Sequence, residues 1–216
     1  DMSFGKTERD YDNLVPDACQ RLIGARYALL RPDFFCFRPW SLEQRDNSLA
    51  EGRRVQDVLV SMGGADPQDA TGWVLDGLES FAIRQGFRLH VLVGSAYPHD
   101  DRLEARARRL GGMLAIHRDV WDMAEFLTGM DLCIGAAGSS TWERCCLGLP
   151  TVNLILADNQ SAIAAQLCQA GAVVHGGVFD PLVDAAAWAE RLIAPLMSPT
   201  RLNQLSQRAR EVVDGQ

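Results

Sequence analysis

The chain has 216 residues, 47% of them hydrophobic and 23% charged, a composition that excludes disordered, collagen-like and low-complexity proteins. Its 28 acidic residues outnumber its 21 basic ones and give a net charge of −7, so nucleic acid is not an expected partner. No apolar run reaches the roughly 18 residues of a membrane span. We therefore expect a globular, cytoplasmic protein without a membrane span.

The six cysteines show no CxxC spacing, and four of them lie inside apolar segments. This pattern favours reduced core thiols over a disulfide framework or a metal site.

Residues 1–54 precede the regular part of the chain. A strand is predicted near residues 26–30, and the polar stretch 41–54 is predicted to be a connector. The chain begins at Asp1 with neither an initiator Met nor a signal peptide, so we expect a fragment of a longer protein. We divide it into an arm at 1–27, the remnant of a missing N-terminal domain, and one compact domain at 28–216.

From residue 55 onward, short β-branched runs alternate with longer helical segments, the pattern of βα units on a parallel sheet. The predicted strands are 55–62, 88–93, 113–117, 132–135, 151–156 and 172–174. The predicted helices are 68–84, 101–110, 123–130, 140–147, 160–170, 182–196 and 199–213. The fold class is therefore predicted to be α/β, with a doubly wound parallel sheet.

Two glycine-rich loops mark the expected ligand crevice. Six sequential parallel strands most often take the order 3-2-1-4-5-6, in which strands 1 and 4 are neighbours where the winding reverses. The loops that leave these strands, 61–66 and 135–140, are rich in glycine and small residues. Backbone N–H groups and the following helix N-termini can there approach phosphate oxygens closely. The alternative is that both loops only turn the chain tightly.

Neither loop has the GxGxxG fingerprint of dinucleotide-binding proteins or the GxxxxGK[ST] motif of nucleoside triphosphatases. What remains is a nucleotide held without metal or lysine, as in nucleotide-sugar enzymes. Asp66 and Pro67 after the first loop predict a helix start capped by Asp66.

Glu143 has two interpretations. The run Ser140-Thr-Trp-Glu143 fits a capping box, in which Glu143 reaches back to the backbone N–H of the N-cap residue. The same carboxylate, one turn into a helix beside a phosphate site, is also placed to accept both hydroxyls of a ribose.

Several segments together resemble a known family. These are SMGGADP at 61–67, DMAE at 122–125, the long run IGAAGSSTWERCCLGLP at 134–150, ADNQ at 157–160 and YALLRPDF at 27–34. They are similar to the hydrolases of UDP-linked diacetamido-trideoxy-altropyranose in pseudaminic acid biosynthesis. A more distant similarity links the same positions to the N-acetylglucosamine transferase that makes lipid II.

The resemblance implies a Rossmann-like C-terminal domain of a two-domain GT-B fold. In the implied reaction water attacks the anomeric carbon of a UDP-sugar, UDP leaves with inversion of configuration, and neither a metal ion nor another cofactor takes part. The positions that match the family's substrate-binding residues are Gly63, Gly64, Ala65, Val120, Met123, Gly138, Ser139, Ser140, Glu143, Asn159 and Gln160.

The resemblance also assigns a role to each group. The first glycine turn, with Ser139 and Ser140, would bind the diphosphate, and Glu143 would bind the ribose. The backbone of Val120 would contact uracil, with Met123 packed nearby. The pair at 159–160 would face the sugar.

The catalytic residue is not expected within this chain. The family's general base is a histidine in a glycine-rich loop of the N-terminal domain, and none of His90, His99, His117 and His175 is an evident substitute. The isolated chain is therefore expected to hydrolyse UDP-sugar poorly. Two other functions stay open: an inverting UDP-sugar glycosyltransferase on the same fold, and a nucleotide-binding module without catalysis.

Overall fold

A sheet of six parallel strands, in the order β3-β2-β1-β4-β5-β6, forms the centre of the molecule. The computed structural model describes residues 1–214. The strands are β1 (Asp57–Ser61), β2 (Arg88–Leu92), β3 (Leu114–His117), β4 (Leu132–Ala136), β5 (Thr151–Ile155) and β6 (Val174–Val178). The predicted fold class and strand order are therefore confirmed.

Eight α-helices accompany the strands in residues 1–214. They are α1 (Pro32–Ala50), α2 (Ala70–Gln85), α3 (Asp100–Leu110), α4 (Met123–Thr128), α5 (Ser140–Cys146), α6 (Ser161–Gln169), α7 (Ala185–Leu192) and α8 (Pro199–Val212). The predicted helix at 182–196 is shorter than expected. Asp184 caps its start by accepting from the backbone N–H of Ala187, and a 3-10 turn at Ala194–Met197 replaces its end.

The sixth strand begins two residues later than predicted and ends four residues later. Its interior contains Gly176 and Gly177, which lower strand propensity and are more typical of a turn. The glycine is required because a Cβ on Gly176 would stand 2.8 Å from the carbonyl oxygen of Asn153 on the neighbouring strand. The register of this strand pair also shifts between Asn153 and Ile155.

Alternation along the strands produces a hydrophobic layer on each face of the sheet. Val58, Val60 and Val91 point into one layer, with side chains of α2 and α7. Leu59 and Cys133 point into the other, with side chains of α4 and α5. Both faces are covered, as a parallel sheet requires.

Residues 41–50 of the polar stretch predicted to be a connector form the second half of α1. Its buried residues Phe34, Ser41 and Arg45 recur on one face, and the buried polar groups hide the helical pattern from a hydrophobicity count. Arg45 donates hydrogen bonds to the carbonyl oxygens of Leu147, Met130 and Leu127, at 2.9, 2.7 and 3.1 Å. The prediction of a connector was wrong because buried polar contacts of Arg45 help to hold the helix beside the apolar contacts of Phe34, and a search for an apolar stripe does not detect them.

The strand predicted near residues 26–30 is absent from the described chain; a 3-10 turn at Ala25–Tyr27 occupies its place. Ala25 is buried in the second hydrophobic layer, against which Met2 and Phe4 also pack. The division into an arm and a domain stays a prediction.

The cysteines are all unpaired. Cys133, Cys145 and Cys146 are buried as expected, and burial raises the pKa of each thiol. Cys19 and Cys36 are exposed, which corrects the expectation that all six are core residues.

Candidate nucleotide site

The two glycine-rich loops lie side by side at the carboxyl end of the sheet. Strands β1 and β4 are paired with Ser61 opposite Gly135, so the loops that leave them emerge together. A cavity of about 330 Å³ opens beside them, lined also by the segment after β3 and by α4 and α5. The strand order thus produces the predicted crevice at the point where the winding reverses.

Six of the eleven predicted binding residues line this cavity: Gly63, Gly64, Val120, Met123, Ser140 and Glu143. They come from two different loops and two helices, which only the fold brings together. The other five do not belong to its lining: Ala65, Gly138, Ser139, Asn159 and Gln160. Gln160 is used locally, because its side-chain oxygen accepts from the backbone N–H of Leu156 at 2.9 Å.

The first turn is shaped by contact between two loops. Gly63 has a φ of +95°, a conformation that glycine adopts without strain. Gly94, at the end of β2, packs against the backbone of Gly64, and a Cβ on Gly94 would stand 2.5 Å from the Gly64 carbonyl oxygen. Gly94 also lines the cavity, and sequence analysis did not include it in the site.

The N-terminus of α2 is capped by the protein's own carboxylates. Asp66 accepts from the backbone N–H groups of Ala70 and Thr71 at 2.9 and 2.8 Å, and Asp69 accepts from Gly72 at 3.0 Å. Asp66 therefore caps the helix as predicted, although the residue adjoining the helix is Asp69. The expectation that the amides of this helix are free to bind a phosphate was wrong for α2.

Glu143 makes no capping box. The helix begins at Ser140 with Ser139 as its N-cap, and no side chain caps it. A capping box needs the acidic residue three positions after the N-cap, and Glu143 is four positions after Ser139. Its carboxyl is partly buried at the cavity wall, and burial raises its pKa, an effect that Arg144 and Arg31 oppose. The structure thus excludes the capping-box interpretation and places the Glu143 carboxyl at the cavity. Its contact with a ribose stays a prediction.

Arg144 also lines the cavity, although it is only 2% exposed. Its guanidinium donates to the hydroxyl of Ser140 at 2.8 Å, to the carbonyl of Ala136 at 2.8 Å, and to the side chains of Thr141 and Asn153. All four acceptors are neutral oxygens. Sequence analysis missed this residue; the available signal was its position between the candidate Glu143 and the apolar run 145–150.

Two histidines form a polar chain below the cavity on the β2–β3 side. His90 Nε2 lies 2.7 Å from Asp57 Oδ1, and His90 Nδ1 lies 3.0 Å from His117 Nε2. The His117 ring packs against Phe126 of α4. Burial, followed by the neighbouring His90, lowers the pKa of His117. Neither histidine is among the residues that line the cavity.

The sequence matches no family model. It is 26% identical over 185 residues to the spore coat polysaccharide biosynthesis protein SpsG of Bacillus subtilis, an alignment that covers 85% of this chain and 53% of SpsG. The chain thus spans about half the length of that relative.

Solved structures show the same fold at low identity. MurG of Acinetobacter baumannii superposes with a TM-score of 0.62 at 16% identity, over 98% of this chain and 60% of MurG. WaaG, a glycosyltransferase involved in lipopolysaccharide biosynthesis, gives 0.59 at 19% identity, over 82% of this chain and 48% of WaaG. The spinosyn rhamnosyltransferase SpnG, complexed with thymidine diphosphate, gives a TM-score of 0.51 at 22% identity, over 78% of this chain and 43% of SpnG.

These comparisons correct the expected activity. The neighbours named by their reaction are glycosyltransferases, and the curated relative is a polysaccharide biosynthesis protein, so the expectation of a UDP-sugar hydrolase was wrong. Among residues 1–214, no helix has the length and hydrophobicity to cross a membrane. The chain has the Rossmann-like fold of the C-terminal domains of GT-B glycosyltransferases.

Proposed function

We propose that this chain is the donor-binding domain of a glycosyltransferase that uses a nucleoside diphosphate sugar, with UDP as the nucleotide, in polysaccharide biosynthesis. The observation that carries the proposal is the cavity at the switch point of the sheet, which brings Gly63 and Gly64 together with Glu143. The similarity to SpsG and to glycosyltransferase structures supports it.

The cavity provides a separate contact for each part of the nucleotide. The backbone N–H groups of the turn at 63–64 would bind the diphosphate, since no Cβ blocks close approach there. The carboxylate of Glu143 would accept hydrogen bonds from the two ribose hydroxyls. The backbone of Val120 and the side chain of Met123 would contact the base.

In the proposed reaction an acceptor hydroxyl attacks the anomeric carbon, the bond to the diphosphate breaks, and the nucleoside diphosphate leaves with inversion. Binding the diphosphate tightly lowers the barrier, because negative charge develops on it as the bond breaks. The acceptor site and the base would come from a second domain, a proposal consistent with the 53% of SpsG and 60% of MurG that this chain spans.

Contact of Asn159 and Gln160 with the sugar of the donor stays a prediction. They lie in the 3-10 turn after β5, outside the cavity lining, and Gln160 closes its own loop. We would expect them to act only when the donor extends beyond the cavity.

Calorimetric titration of the chain with uridine, UMP and UDP tests the proposal. Affinity should rise from uridine to UMP and again to UDP, since each phosphate adds charge-assisted hydrogen bonds. Absence of binding by all three compounds would contradict the proposed function. In a protein that carries this domain together with the second one, a UDP-sugar should release UDP only when a polysaccharide-precursor acceptor is present.

A further inference from the structure

The carboxylates at the start of α2 raise an electrostatic question about the proposed site. Asp66 and Asp69 occupy the amides of that helix, and the chain as a whole carries a net charge of −7. The other charged residues that line the cavity, Asp119 and Glu143, are acidic. A diphosphate would therefore meet several negative groups, and its binding needs a positive charge nearby.

Arg144 is the one cation among the residues that line the cavity. Its hydrogen bonds all go to neutral oxygens, and its Nε atom is buried without a partner, as is Nδ2 of the adjacent Asn153. The surroundings of this guanidinium thus hold more donors than acceptors. Glu143 interacts with this guanidinium electrostatically, but none of the four hydrogen bonds of Arg144 goes to a carboxylate. Proteins normally pair a buried charge with a hydrogen-bonded group of opposite charge.

Ser140 connects this buried charge to the cavity. Arg144 Nη1 donates to the Ser140 oxygen at 2.8 Å, so that oxygen is already used as an acceptor. The hydroxyl proton of Ser140 is then left for an acceptor inside the cavity, which Ser140 also lines. Hydrogen bonds in a chain polarise one another, so donation from the guanidinium makes this hydroxyl a stronger donor.

We infer that Arg144 is the counter-charge of the diphosphate and that it acts through Ser140, whose hydroxyl donates to a phosphate oxygen. Arg144 is on this view a positioning residue, and Ser140 is the residue that touches the ligand. The inference rests on the proposed nucleotide site. It identifies the anion, rather than the base or the ribose, as the part of the ligand that Arg144 recognises.

The experiment compares Ser140→Ala with Ser161→Ala. The two serines are matched, since each is the first residue of the helix that follows a central strand, but Ser161 does not line the cavity. Titrations with uridine, UMP, UDP and inorganic pyrophosphate are made on the full chain. We expect Ser140→Ala to reduce the affinity for UDP and for pyrophosphate about tenfold. The affinity for UMP should fall less, and the affinity for uridine should hardly change. Ser161→Ala should leave all four affinities unchanged.

Arg144→Met should show the same order of losses, and Arg144→Lys should recover part of the UDP affinity because it keeps the charge. Equal proportional losses for uridine, UMP and UDP would assign both residues a structural role and overturn the inference. Unchanged UDP affinity in Ser140→Ala would overturn it as well, even if Arg144→Met does not fold.

Failure of the proposed function is seen separately. Wild-type protein that binds pyrophosphate but gains nothing from the nucleoside would contradict a nucleotide site, whereas loss of pyrophosphate binding in Ser140→Ala would still support the inference. Wild-type protein that binds neither pyrophosphate nor UDP would overturn both proposals.

Discussion

Gly94 and Gly64 approach so closely that a Cβ on Gly94 would stand 2.5 Å from the Gly64 carbonyl oxygen and 2.8 Å from its Cα. The obstacle on the Gly64 side is backbone, which cannot rotate away as a side chain can. The loop after β2 therefore holds the turn after β1, the proposed phosphate site, in place. This relationship joins two loops that are separated by 30 residues in the sequence.

Gly94→Ala should displace the turn at 63–64 and weaken UDP binding at least about tenfold, because phosphate hydrogen bonds depend strongly on geometry. The overpacking should also lower the free energy of unfolding by about 1–3 kcal/mol. Gly112→Ala is the control, since its new Cβ would meet nothing within 4 Å. Titration and urea denaturation measure the two effects, and equal behaviour of the two variants would refute the role of Gly94.

Glu143→Gln should reduce UDP affinity about tenfold or more, because two hydrogen bonds to a charged acceptor become weaker. The affinity for the 2′-deoxy analogue should fall less, since that ligand offers one hydroxyl fewer to this residue. Calorimetric titration of UDP and its 2′-deoxy analogue with the wild type and the variant gives a thermodynamic cycle that isolates the contact with the 2′-hydroxyl. An equal loss for the two ligands would show that Glu143 does not contact the ribose 2′-hydroxyl.

The pH dependence of binding follows from the same carboxyl. Burial raises the pKa of Glu143, so its ionised form predominates only at pH values above that raised pKa. We expect UDP affinity to fall as the pH is lowered through the pKa, and to fall less steeply in Glu143→Gln. Titrations between pH 7.5 and about 4.5 check this, and parallel profiles for the two proteins would contradict it.

His117 should make the fold less stable in mild acid. Burial and the adjacent His90 lower the pKa of His117, so the folded protein binds this proton less readily than the unfolded chain. The free energy of unfolding should therefore decrease as the pH falls below about 6.5, until the lower pKa of the folded state is passed. Urea denaturation at several pH values should show a smaller decrease in His117→Asn than in the wild type. An equal decrease in the two proteins would contradict this prediction.

Arg45→Met tests how α1 is attached. The change removes the arginine's donors from Met130, Leu147 and Leu127, although the Leu147 carbonyl keeps the hydroxyl of Ser41 and the Leu127 carbonyl keeps the backbone N–H of Met130. It should therefore cost about 2–3 kcal/mol of unfolding free energy. Arg53→Met, which removes an exposed ion pair with Glu51, should cost under about 1 kcal/mol. Urea denaturation of both variants provides the comparison, and similar small losses would mean that α1 is held by its apolar contacts alone.

The sheet and the place of the crevice were predictable because their signals are local. Alternating strand and helix patterns from Asp57 onward indicated βα units, and chain connectivity allows few strand orders for six of them. The loops at 63–64 and 138–140 could then be assigned to neighbouring strands. Prediction failed for α1 and for β6, where a buried arginine and two strand glycines reverse the usual preferences.

The amino-acid sequence by itself determined the fold class, the position of the glycine turns and the candidate role of Glu143, since these depend on short-range periodicity and residue type. Only the tertiary structure decided that Gly94 packs against Gly64, that Arg144 is buried at the cavity wall, and that Asn159 lies outside the cavity. The physical reason is that burial and hydrogen-bond partners depend on packing between distant segments, which no local pattern records.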